Sequence, residues 1–324
     1  MNELARRRFL QLTATAAALP AVSRIASAQA YPTRPVRIVV GFPAGTATDI
    51  AARLIGQWLS EHLGQPFVIE NLPGANSNLA TEKVEKAVPD GYTLLEISSA
   101  NAQNASVYNN LNFNFIRDIA PVAGIYRAPV VMVITPSLPV KTVPEFISYA
   151  KANPGKINMA SVGVGSLQHL AGEMFKSMAG IDMLHVPYRV NPMPDLLGGQ
   201  VQVMFSPIAG AIEYVRAGTL RALAVTSAAR SAMLPDTPIV ADFVRGYEAN
   251  GFSGVGAPKN TPAVVIEALN KEINAGLADP KVAARFAELG TTVTAGTPAD
   301  FGTFIADETE KWARVVRAAN IRLD

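Results

Sequence analysis

The sequence predicts an α/β protein made of two doubly wound lobes. Short runs of β-branched residues alternate with longer segments of helical period, and Gly, Pro, Asn or Ser joins them. This alternation is typical of parallel strands connected by helices. The pattern restarts after Pro129, and 324 residues are more than one typical domain needs. We therefore expect two lobes with a ligand cleft between them.

The first half of the chain alternates strands with helices. Val36–Val40 is rich in β-branched residues, with Arg37 as its one charged member, and predicts a buried strand. Thr48–Leu63 places apolar residues on one side of a helix, and Pro89-Asp90-Gly91 is a turn signal that ends a later helix. The predicted elements are strand 36–40, helix 48–63, strand 67–70, helix 79–88 and strand 93–97.

The second half repeats the alternation. Thr142 and Glu145 have the spacing of a capping box and predict a helix that runs to Ala152. A Gly-rich stretch, Gly246–Gly256, precedes Pro262, which is expected at the first position of another helix. The remaining predicted elements are strands 130–135, 157–160, 183–186, 201–205, 220–226 and 292–294, and helices 167–179, 208–217 and 298–319.

The domain organisation follows from where the pattern restarts. We expect residues 31–130 to form lobe 1, residues 131–251 to form lobe 2, and residues 252–324 to return to lobe 1. Two extended crossover strands would then join the lobes.

The first thirty residues have the pattern of an export signal. Arg6 to Arg8 precede an uncharged stretch, Phe9–Val22, and small residues follow as far as Ala30. This order is typical of a secretory signal peptide, the apolar stretch is too short to span a bilayer, and the arginines resemble a twin-arginine motif. An amphipathic helix is the alternative, but the stretch has no charged face. We expect residues 1–30 to be cleaved near Ala30 and the mature protein to be periplasmic.

Composition excludes several classes of function. The chain has 28 Lys and Arg, 26 Asp and Glu, 3 His and no Cys. The formal net charge of the whole chain is +2. Four arginines and one glutamate give the first thirty residues a net charge of +3, so the remaining residues carry −1. A nearly neutral mature protein does not favour nucleic acid as a partner. The absence of Cys excludes thiol catalysis, thiolate metal sites and disulfides. Three histidines do not favour a histidine-rich metal site, so we expect no metal. Gly163-Val164-Gly165 does not complete a dinucleotide fingerprint, so we also expect no cofactor.

Three strand-to-helix loops could hold a ligand. They comprise residues 41–49, 161–166 and 188–192, and each leads from a predicted strand towards a helix. A helix N-terminus offers unpaired N–H groups and a partial positive charge, so it can bind a carboxylate without a cationic side chain. For each loop taken alone, an ordinary helix-capping turn remains the alternative.

Several motifs follow one another along the whole mature chain. They are Tyr31-Pro32-Thr33-Arg34-Pro35-Val36-Arg37, Gly41-Phe42-Pro43-Ala44-Gly45 with Asp49, Glu70-Asn71-Leu72-Pro73-Gly74-Ala75, Pro89-Asp90-Gly91-Tyr92-Thr93-Leu94-Leu95, His185-Val186-Pro187-Tyr188, Asp195-Leu196-Leu197-Gly198-Gly199-Gln200, Leu220-Arg221-Ala222-Leu223-Ala224-Val225-Thr226 and Ala257-Pro258. In this order they resemble the Bug receptors, which are the extracytoplasmic solute receptors of tripartite tricarboxylate transporters. The order and the coverage make this resemblance more specific than any single loop.

The resemblance implies a type II periplasmic binding protein fold that closes on a small organic acid and docks on membrane transporter subunits. It implies no enzymatic activity, and we expect a monomer. In the family, the ligand is held largely by backbone groups and ordered water. Carried onto this chain, the ligand-binding residues are Phe42, Ala44, Gly45, Thr46, Ala47, Ser161, Gly163, Val164, Gly165, Ser166, Tyr188, Arg189 and Val190.

Two of these positions depart from the family pattern, because Thr46 and Val190 replace glycines. Thr46 would avoid a positive φ or add a hydroxyl donor, and Val190 would place an apolar wall in the pocket. Asp49, in the first turn of a helix, is a further ligand candidate or a helix stabiliser. Arg189 could bind a ligand carboxylate with two hydrogen bonds or be a surface cation.

The sequence gives less support for catalysis or for cofactor binding. His169 and His185 are expected to be packed, hydrogen-bonded histidines, and Gly163-Val164-Gly165 lacks the third glycine of a dinucleotide fingerprint. No serine lies in a nucleophile elbow. A signalling receptor on the same fold remains an alternative function, and an exported enzyme with an acid-base pair in the cleft is a second one.

Overall fold

A computed structural model describes residues 31–323 of the chain. The predicted signal peptide, its twin-arginine motif and its cleavage near Ala30 lie outside these residues.

The described residues form ten strands. They are β1 (Val36–Val40), β2 (Phe67–Asn71), β3 (Thr93–Ser98), β4 (Ile119–Ile134), β5 (Asn158–Ser161), β6 (Leu184–Pro187), β7 (Val203–Pro207), β8 (Arg221–Val225), β9 (Asn250–Pro258) and β10 (Thr292–Val293).

Eleven α-helices accompany the strands within residues 31–323, with 3₁₀ turns at 75–77 and 240–242. The helices are α1 (Ala47–Leu63), α2 (Asn78–Glu85), α3 (Ser99–Val107), α4 (Phe115–Asp118), α5 (Val143–Ala152), α6 (Leu167–Ala179), α7 (Met193–Leu197), α8 (Ile208–Arg216), α9 (Ala263–Ala278), α10 (Pro280–Glu288) and α11 (Pro298–Ala318).

The strands divide into two groups that share β4. In the first group, which we call lobe 1, the order is β2-β1-β3-β9-β4, with β10 beside β4. In the second group, lobe 2, the order is β8-β4-β7-β5-β6. The first part of β4 pairs with β9, and its last residues, Val130–Ile134, pair with β7 and β8. One strand therefore runs from lobe 1 into lobe 2.

The chain returns to lobe 1 next to the point where it left. Thr226, just after β8, donates its backbone N–H to the Val130 carbonyl at 2.9 Å and accepts from the Ala249 N–H at 3.1 Å. Its hydroxyl donates to the Ala249 carbonyl at 2.6 Å and accepts from the Val130 N–H at 3.0 Å. The side chain is fully buried. Thr226 thus ties together the two segments that join the lobes.

Helices cover both faces of lobe 1. On one face, α1 buries Ala51, Ala52, Ile55 and Leu59, residues that recur at helical spacing, in a core that α9 completes. On the other face, α3 packs against α11, whose Trp312 is fully buried. The same core extends into lobe 2 through α6, so α11 contacts both lobes.

The sequence located most elements, but not the direction of every strand. Strands β2, β1 and β3 of lobe 1 and strands β7, β5 and β6 of lobe 2 are parallel as expected. In contrast, β9 runs antiparallel to β3 and β4, and β4 runs antiparallel to β7, β8 and β10. The expectation of wholly parallel sheets is therefore wrong at the strands next to the lobe junction. These strands carry the chain out of one lobe and back, so they oppose the direction that helical crossovers impose on the others.

Four elements, β9 and the helices α3, α4 and α10, were not predicted. The Gly-rich stretch 246–256 contains most of β9, which is buried along its whole length. The three helices lie in segments for which the sequence predicts no helix, and β4 begins eleven residues before the predicted Val130. α3 was missed because Ser99–Val107 is rich in Ser, Asn and Gln and has almost no apolar periodicity. Among residues 31–323, no helix is long and apolar enough to cross a membrane.

Candidate functional site

A cavity of 240 Å³ lies between the two lobes. Its floor is formed by β4 and β9 where they pass from one lobe to the other, and its walls come from the ends of β3, α1, α3 and α6. The lining residues are Phe42, Thr48, Asn76, Ser98, Ser99, Ala100, Gln103, Tyr126, Ala128, Val162, Ser166, Leu167, Gln168, Gly251 and Phe252.

Three helices begin at this cavity. Thr48 is in the first turn of α1, Ser99 and Ala100 open α3, and Leu167 and Gln168 open α6. The first N–H groups of a helix have no partner within the helix, and the helix dipole makes that end partly positive. The three helices have 17, 9 and 13 residues. The cavity therefore receives donors and positive potential from both lobes.

The lining contains no charged side chain. Its polar groups are hydroxyls and carboxamides, and Phe42, Tyr126 and Phe252 add aromatic surface. Since no lysine or arginine of residues 31–323 lines the cavity, an anion there would depend on backbone amides and neutral donors.

The β1–α1 loop has the conformation that its glycine favours. Gly45 has φ +86°, a left-handed value that suits glycine. Thr46 instead has φ −74°, and its hydroxyl donates to the Pro43 carbonyl at 2.8 Å. Phe42 lines the cavity, whereas Ala44, Gly45 and Ala47 are exposed on the loop beside it.

Asp49, in the first turn of α1, fixes the β1–α1 loop through hydrogen bonds. Its carboxylate accepts the Gly45 N–H at 2.8 Å, the Arg53 Nε–H at 2.9 Å and the Asn71 Nδ2–H at 2.8 Å. Burial alone would raise the pKa of Asp49, but the hydrogen bonds from Arg53, Gly45 and Asn71 outweigh it and lower the pKa to about 2. Asp49 is 1% exposed and does not line the cavity, so its hydrogen bonds serve the loop.

The β5–α6 loop in lobe 2 is built on Ser161 and Ser166. Ser161 Oγ donates to the Gly163 carbonyl at 3.0 Å and lies 2.6 Å from His185 Nε2. Ser166 caps α6 by accepting the His169 N–H at 3.4 Å, and its hydroxyl donates to the Gly163 carbonyl at 2.7 Å. Ser166 lines the cavity, as does its neighbour Val162.

The other predicted residues of this loop are placed around it. Gly163 and Gly165 have φ of +136° and +76°. A Cβ on Gly165 would lie 2.7 Å from Val107 Cγ1, at the end of α3 in lobe 1. Val164 is 39% exposed on the rim. The loop therefore brings lobe 2 into close contact with lobe 1.

His169 and His185 pack against the β5–α6 loop and hydrogen-bond to it. Their rings stack at 3.6 Å with an interplanar angle of 12°, and His169 Nδ1 accepts the Gly165 N–H at 3.1 Å. Burial lowers the pKa of His169 to about 3, aided by the charges of His185 and Lys176. Burial, with the Lys176 charge, lowers the pKa of His185 to about 4. Both histidines are neutral at pH 7 and are packed and hydrogen-bonded, as the sequence predicted.

The third loop lies apart from the cavity. The Tyr188 hydroxyl donates to Asp195 Oδ2 at 2.7 Å, which raises the pKa of Tyr188 to about 12. Arg189 is exposed and makes no hydrogen bond or ion pair with residues 31–323. Val190 is 74% exposed. None of the three lines the cavity in this conformation.

The sequence interpretation missed the contribution of α3. Ser98, Ser99, Ala100 and Gln103 line the cavity, and the preceding strand β3 carries the motif that ends at Leu95. The Ser98-Ser99 pair, a typical helix start after a buried strand, was the available signal. Tyr126, Gly251 and Phe252 were missed for another reason, since strand residues become site residues only when the lobes meet.

A buried acid lies in the strands beneath the cavity. Glu96 is fully buried, and its Oε1 accepts the Ser253 hydroxyl at 2.7 Å. Burial raises the pKa of Glu96 to about 8, the Ser253 hydrogen bond opposes this, and the charge of Asp49 adds to it. Glu96 is therefore mostly protonated at pH 7.

Another cavity is larger but has a different character. It has 620 Å³, lies between α6 and α11, and is open and mostly apolar, with Met174, Ile181 and Val315 in its lining. Its cations already pair with carboxylates: Lys176 with Glu173, Lys311 with Glu308, and Arg314 with Glu310. Within residues 31–323, no cluster of His, Asp and Glu could hold a metal ion. The interlobe cavity is thus the better candidate site.

Two α/β lobes around a cleft of neutral donors define a periplasmic solute-binding receptor of the type II fold. The chain belongs to the tripartite tricarboxylate transporter receptor family, which matches residues 51–321. This family consists of receptors rather than enzymes, and the resemblance to the Bug receptors is confirmed.

Individual relatives agree with this assignment. The chain is 35% identical to protein BugT of Bordetella pertussis over 98% of both chains. It is 36% identical to Rpa4515 of R. palustris, solved with adipate, with a TM-score of 0.79 over 90% of this chain and 100% of that one. MatC from Rhodopseudomonas palustris, solved with bound malate, is 29% identical, with a TM-score of 0.75 over 88% of this chain and 100% of that one.

Proposed function

We propose that this receptor binds a small carboxylate in the interlobe cavity and delivers it to a tripartite tricarboxylate-type membrane transporter. The observation that carries the proposal is the convergence of three helix N-termini on a cavity without charged side chains. Such a site suits a carboxylate, because the amides donate to it and the helix dipoles favour its charge. The adipate and malate bound to two relatives support the same class of ligand.

Lobe closure would change the shape of the receptor on ligand binding, and a partner could recognise that shape. α1 and α3 belong to lobe 1 and α6 belongs to lobe 2, so a carboxylate ligand that spans the cavity would hold the lobes together. A ligand shifts a conformational equilibrium by the difference between its affinities for the two states. The closed form, which the ligand favours, is the shape a transporter would recognise.

The predicted loop residues have distinct places in this proposal. Phe42 and Ser166 would contact the ligand directly. The exposed residues of the β1–α1 and β5–α6 loops, together with Tyr188, Arg189 and Val190, would approach it on closure. We further propose that the protein is exported by cleavage near Ala30 and acts as a monomer.

Calorimetric titrations, which give the Kd, and thermal-shift measurements of residues 31–324 with organic acids test the ligand class. Succinate, malate, adipate and citrate form the panel, with glucose and zinc as controls. A ligand at about 100 times its Kd should stabilise the fold by about 2.7 kcal/mol. Binding of glucose or zinc without binding of any acid would contradict the proposal.

A charge placed in the cavity tests the location. Ser99→Asp puts a carboxylate at the start of α3, where it should repel the ligand while remaining compatible with the helix. We expect the Kd for the best acid to rise at least about 100-fold, in line with loss of favourable and gain of repulsive interactions. Ala105→Asp, on the exposed side of the same helix, is the matched control. Equal effects of the two variants would place the ligand elsewhere.

Uptake measurements test the transporter partner. Cells that lack this chain should lose uptake of the acid bound in vitro, and the wild-type gene should restore it while the Ser99→Asp variant should not. Unchanged uptake in the deletion strain would contradict the transport role.

A further inference from the structure

Gln103 is a buried polar residue without a partner. It lies on α3, it is 1% exposed, and its side chain lines the interlobe cavity. Its Nε2 is buried and makes no hydrogen bond, and its Oε1 makes none with residues 31–323 either. A carboxamide has two donors and an acceptor, so all of its hydrogen-bonding capacity is unused.

The neighbouring amides on the same helix are fully engaged. Asn101 accepts the Ser98 N–H at 2.8 Å and donates to the Thr81 hydroxyl at 2.8 Å. Asn104 donates to the Asn76 carbonyl at 2.7 Å and to Asn78 Oδ1 at 2.7 Å. These two residues hold α3 in place. Gln103 differs from them, since it makes no hydrogen bond to the rest of the described protein. Buried amides are normally hydrogen-bonded, so we expect a bound ligand to supply the partner.

The geometry of the helix places Gln103 near the proposed carboxylate site. A helical side chain leans towards the N-terminus and covers the preceding turn. Gln103 therefore covers the turn that contains Ser99 and Ala100, which also line the cavity. A ligand carboxylate at that helix end would come within reach of the Gln103 carboxamide.

A carboxylate alone would satisfy only half of Gln103. Carboxylate oxygens accept hydrogen bonds, so they can pair with Nε2 but leave Oε1 unpaired. A 2-hydroxy acid carries an acceptor and a donor on adjacent carbons, which matches the donor and acceptor of the carboxamide. A 2-amino acid also offers a donor, but its ammonium would face three positive helix ends with no lining carboxylate to balance it.

We propose that Gln103 is a specificity-determining residue that recognises the 2-hydroxycarboxylate group of the ligand. Nε2 donates to a carboxylate oxygen, and the 2-hydroxyl donates to Oε1. The inference rests on the proposed function, because it assumes that a carboxylate occupies the interlobe cavity. It narrows the ligand class from small carboxylates to 2-hydroxy acids.

The test compares acids that differ by one substituent. Wild type, Gln103→Met and Gln57→Met are titrated calorimetrically with malate and succinate, with 2-hydroxyglutarate and glutarate, and with aspartate. Methionine has nearly the volume of glutamine but lacks its donor and acceptor. Gln57 is exposed on α1 and bonded to Glu61 at 2.9 Å, so Gln57→Met is the matched control.

The expected result is a change of preference rather than a general loss. Wild type should bind the hydroxy acid of at least one pair about tenfold more tightly than its unsubstituted partner, and more tightly than aspartate. Gln103→Met should reduce that preference to less than about threefold, whereas Gln57→Met should preserve it. Because the amide holds no part of the fold, the thermal midpoint of unliganded Gln103→Met should match wild type or exceed it.

A second variant, Gln103→Glu, provides an independent test if Gln103→Met does not fold. Gln103→Glu keeps the acceptor but replaces the donor by a negative charge, so it should weaken every acid of the panel. Retention of the hydroxyl preference in Gln103→Met, or tighter binding of aspartate than of malate, would overturn the inference and leave the proposed function intact. Failure of every acid to bind wild type would overturn both.

Discussion

Two carboxyl groups of lobe 1 show how position sets the chemistry of a residue. Asp49 and Glu96 are both buried, at 1% and 0% exposure. Asp49 is charged because Arg53, Gly45 and Asn71 donate to it. Glu96 has only the Ser253 hydroxyl, and its Oε2 has no partner among the described residues, so its neutral form is favoured.

Glu96→Gln should stabilise the protein at neutral and alkaline pH. The pKa of Glu96 rises from its usual 4.5 to about 8 on folding, so its favourable contribution is complete below pH 4.5 and is lost as the pH approaches 8. Glutamine mimics the protonated acid at every pH. The gap in unfolding free energy should be near zero at pH 4 and should widen by up to about 1.4 kcal/mol per pH unit.

Denaturant unfolding of both proteins from pH 4 to pH 8 measures this gap. Glu213→Gln, at an exposed residue paired with Arg216, serves as the control and should follow wild type. Parallel curves for Glu96→Gln and wild type would show that Glu96 is ionised in the folded protein.

Asp49→Asn should loosen the β1–α1 loop. An amide cannot accept from Gly45, Arg53 and Asn71 together, so we expect a loss of about 1–3 kcal/mol at pH 7. Folding lowers the pKa of Asp49 from 3.8 to about 2, so its contribution is present above pH 4 and is lost as the pH falls towards 2. The loss should therefore shrink in acid, which unfolding measured at pH 7 and at pH 3 would detect. An equal loss at both pH values would contradict the assigned charge.

At the scale of elements, the site is made where helices begin. α1, α3 and α6 each start at the cavity, and each follows a strand whose end faces the other lobe. The apolar faces of α1 and α6 fix the axes of these two helices, and the hydrogen bonds of Asn101 and Asn104 fix α3, so all three N-termini have defined positions. The loops before α1 and α6 contain glycines with positive φ, which turn the backbone sharply before the helix.

Gly165→Ala tests the contact between the β5–α6 loop and α3. Gly165 has φ +76°, and a Cβ there would lie 2.7 Å from Val107 Cγ1. Gly180, which ends the same helix α6, has φ +62° and no atom within 4 Å of such a Cβ. Gly180→Ala should cost about 1–2 kcal/mol of backbone strain, and Gly165→Ala should cost about 1–3 kcal/mol more from the clash. Equal thermal midpoints for the two variants would show that the lobes do not touch there in solution.

At the scale of the molecule, the two lobes share strand β4 and the C-terminal helix α11. The Thr226 junction ties Val130 to Ala249 where the chain passes between the lobes. Hinges are a few residues at the ends of elements that absorb changes in φ and ψ, so the proposed closure would bend the chain near this junction. The helix α11 contacts both lobes and would oppose their separation.

Thr226→Val should weaken the junction. Valine keeps the volume but leaves the Val130 N–H and the Ala249 carbonyl without their hydroxyl partner, at a cost of about 1–3 kcal/mol. Thr303→Val, an exposed residue of α11 whose hydroxyl bonds to Ala299 at 3.0 Å, is the control. Chemical denaturation of both variants measures the difference. A Thr226→Val protein as stable as the control would contradict the structural role of the junction.

The sequence by itself determined most local structure. Helix α6 coincides with the predicted Leu167–Ala179, and β1 coincides with Val36–Val40. These succeeded because apolar periodicity and capping residues are properties of neighbouring residues. The order of motifs also predicted the family, and composition predicted a protein without cysteine chemistry.

Only the tertiary structure decided which of these elements form the cavity. Phe42, Gln103, Ser166 and Phe252 meet there although they are far apart in the sequence. The burial of Gln103 and Glu96 could not be predicted from the sequence either. Periodicity indicates which side of a segment faces a core, but not which polar groups other elements will cover. Long-range packing of α3 and β9 against the other elements produced that burial, and with it the chemistry of the site.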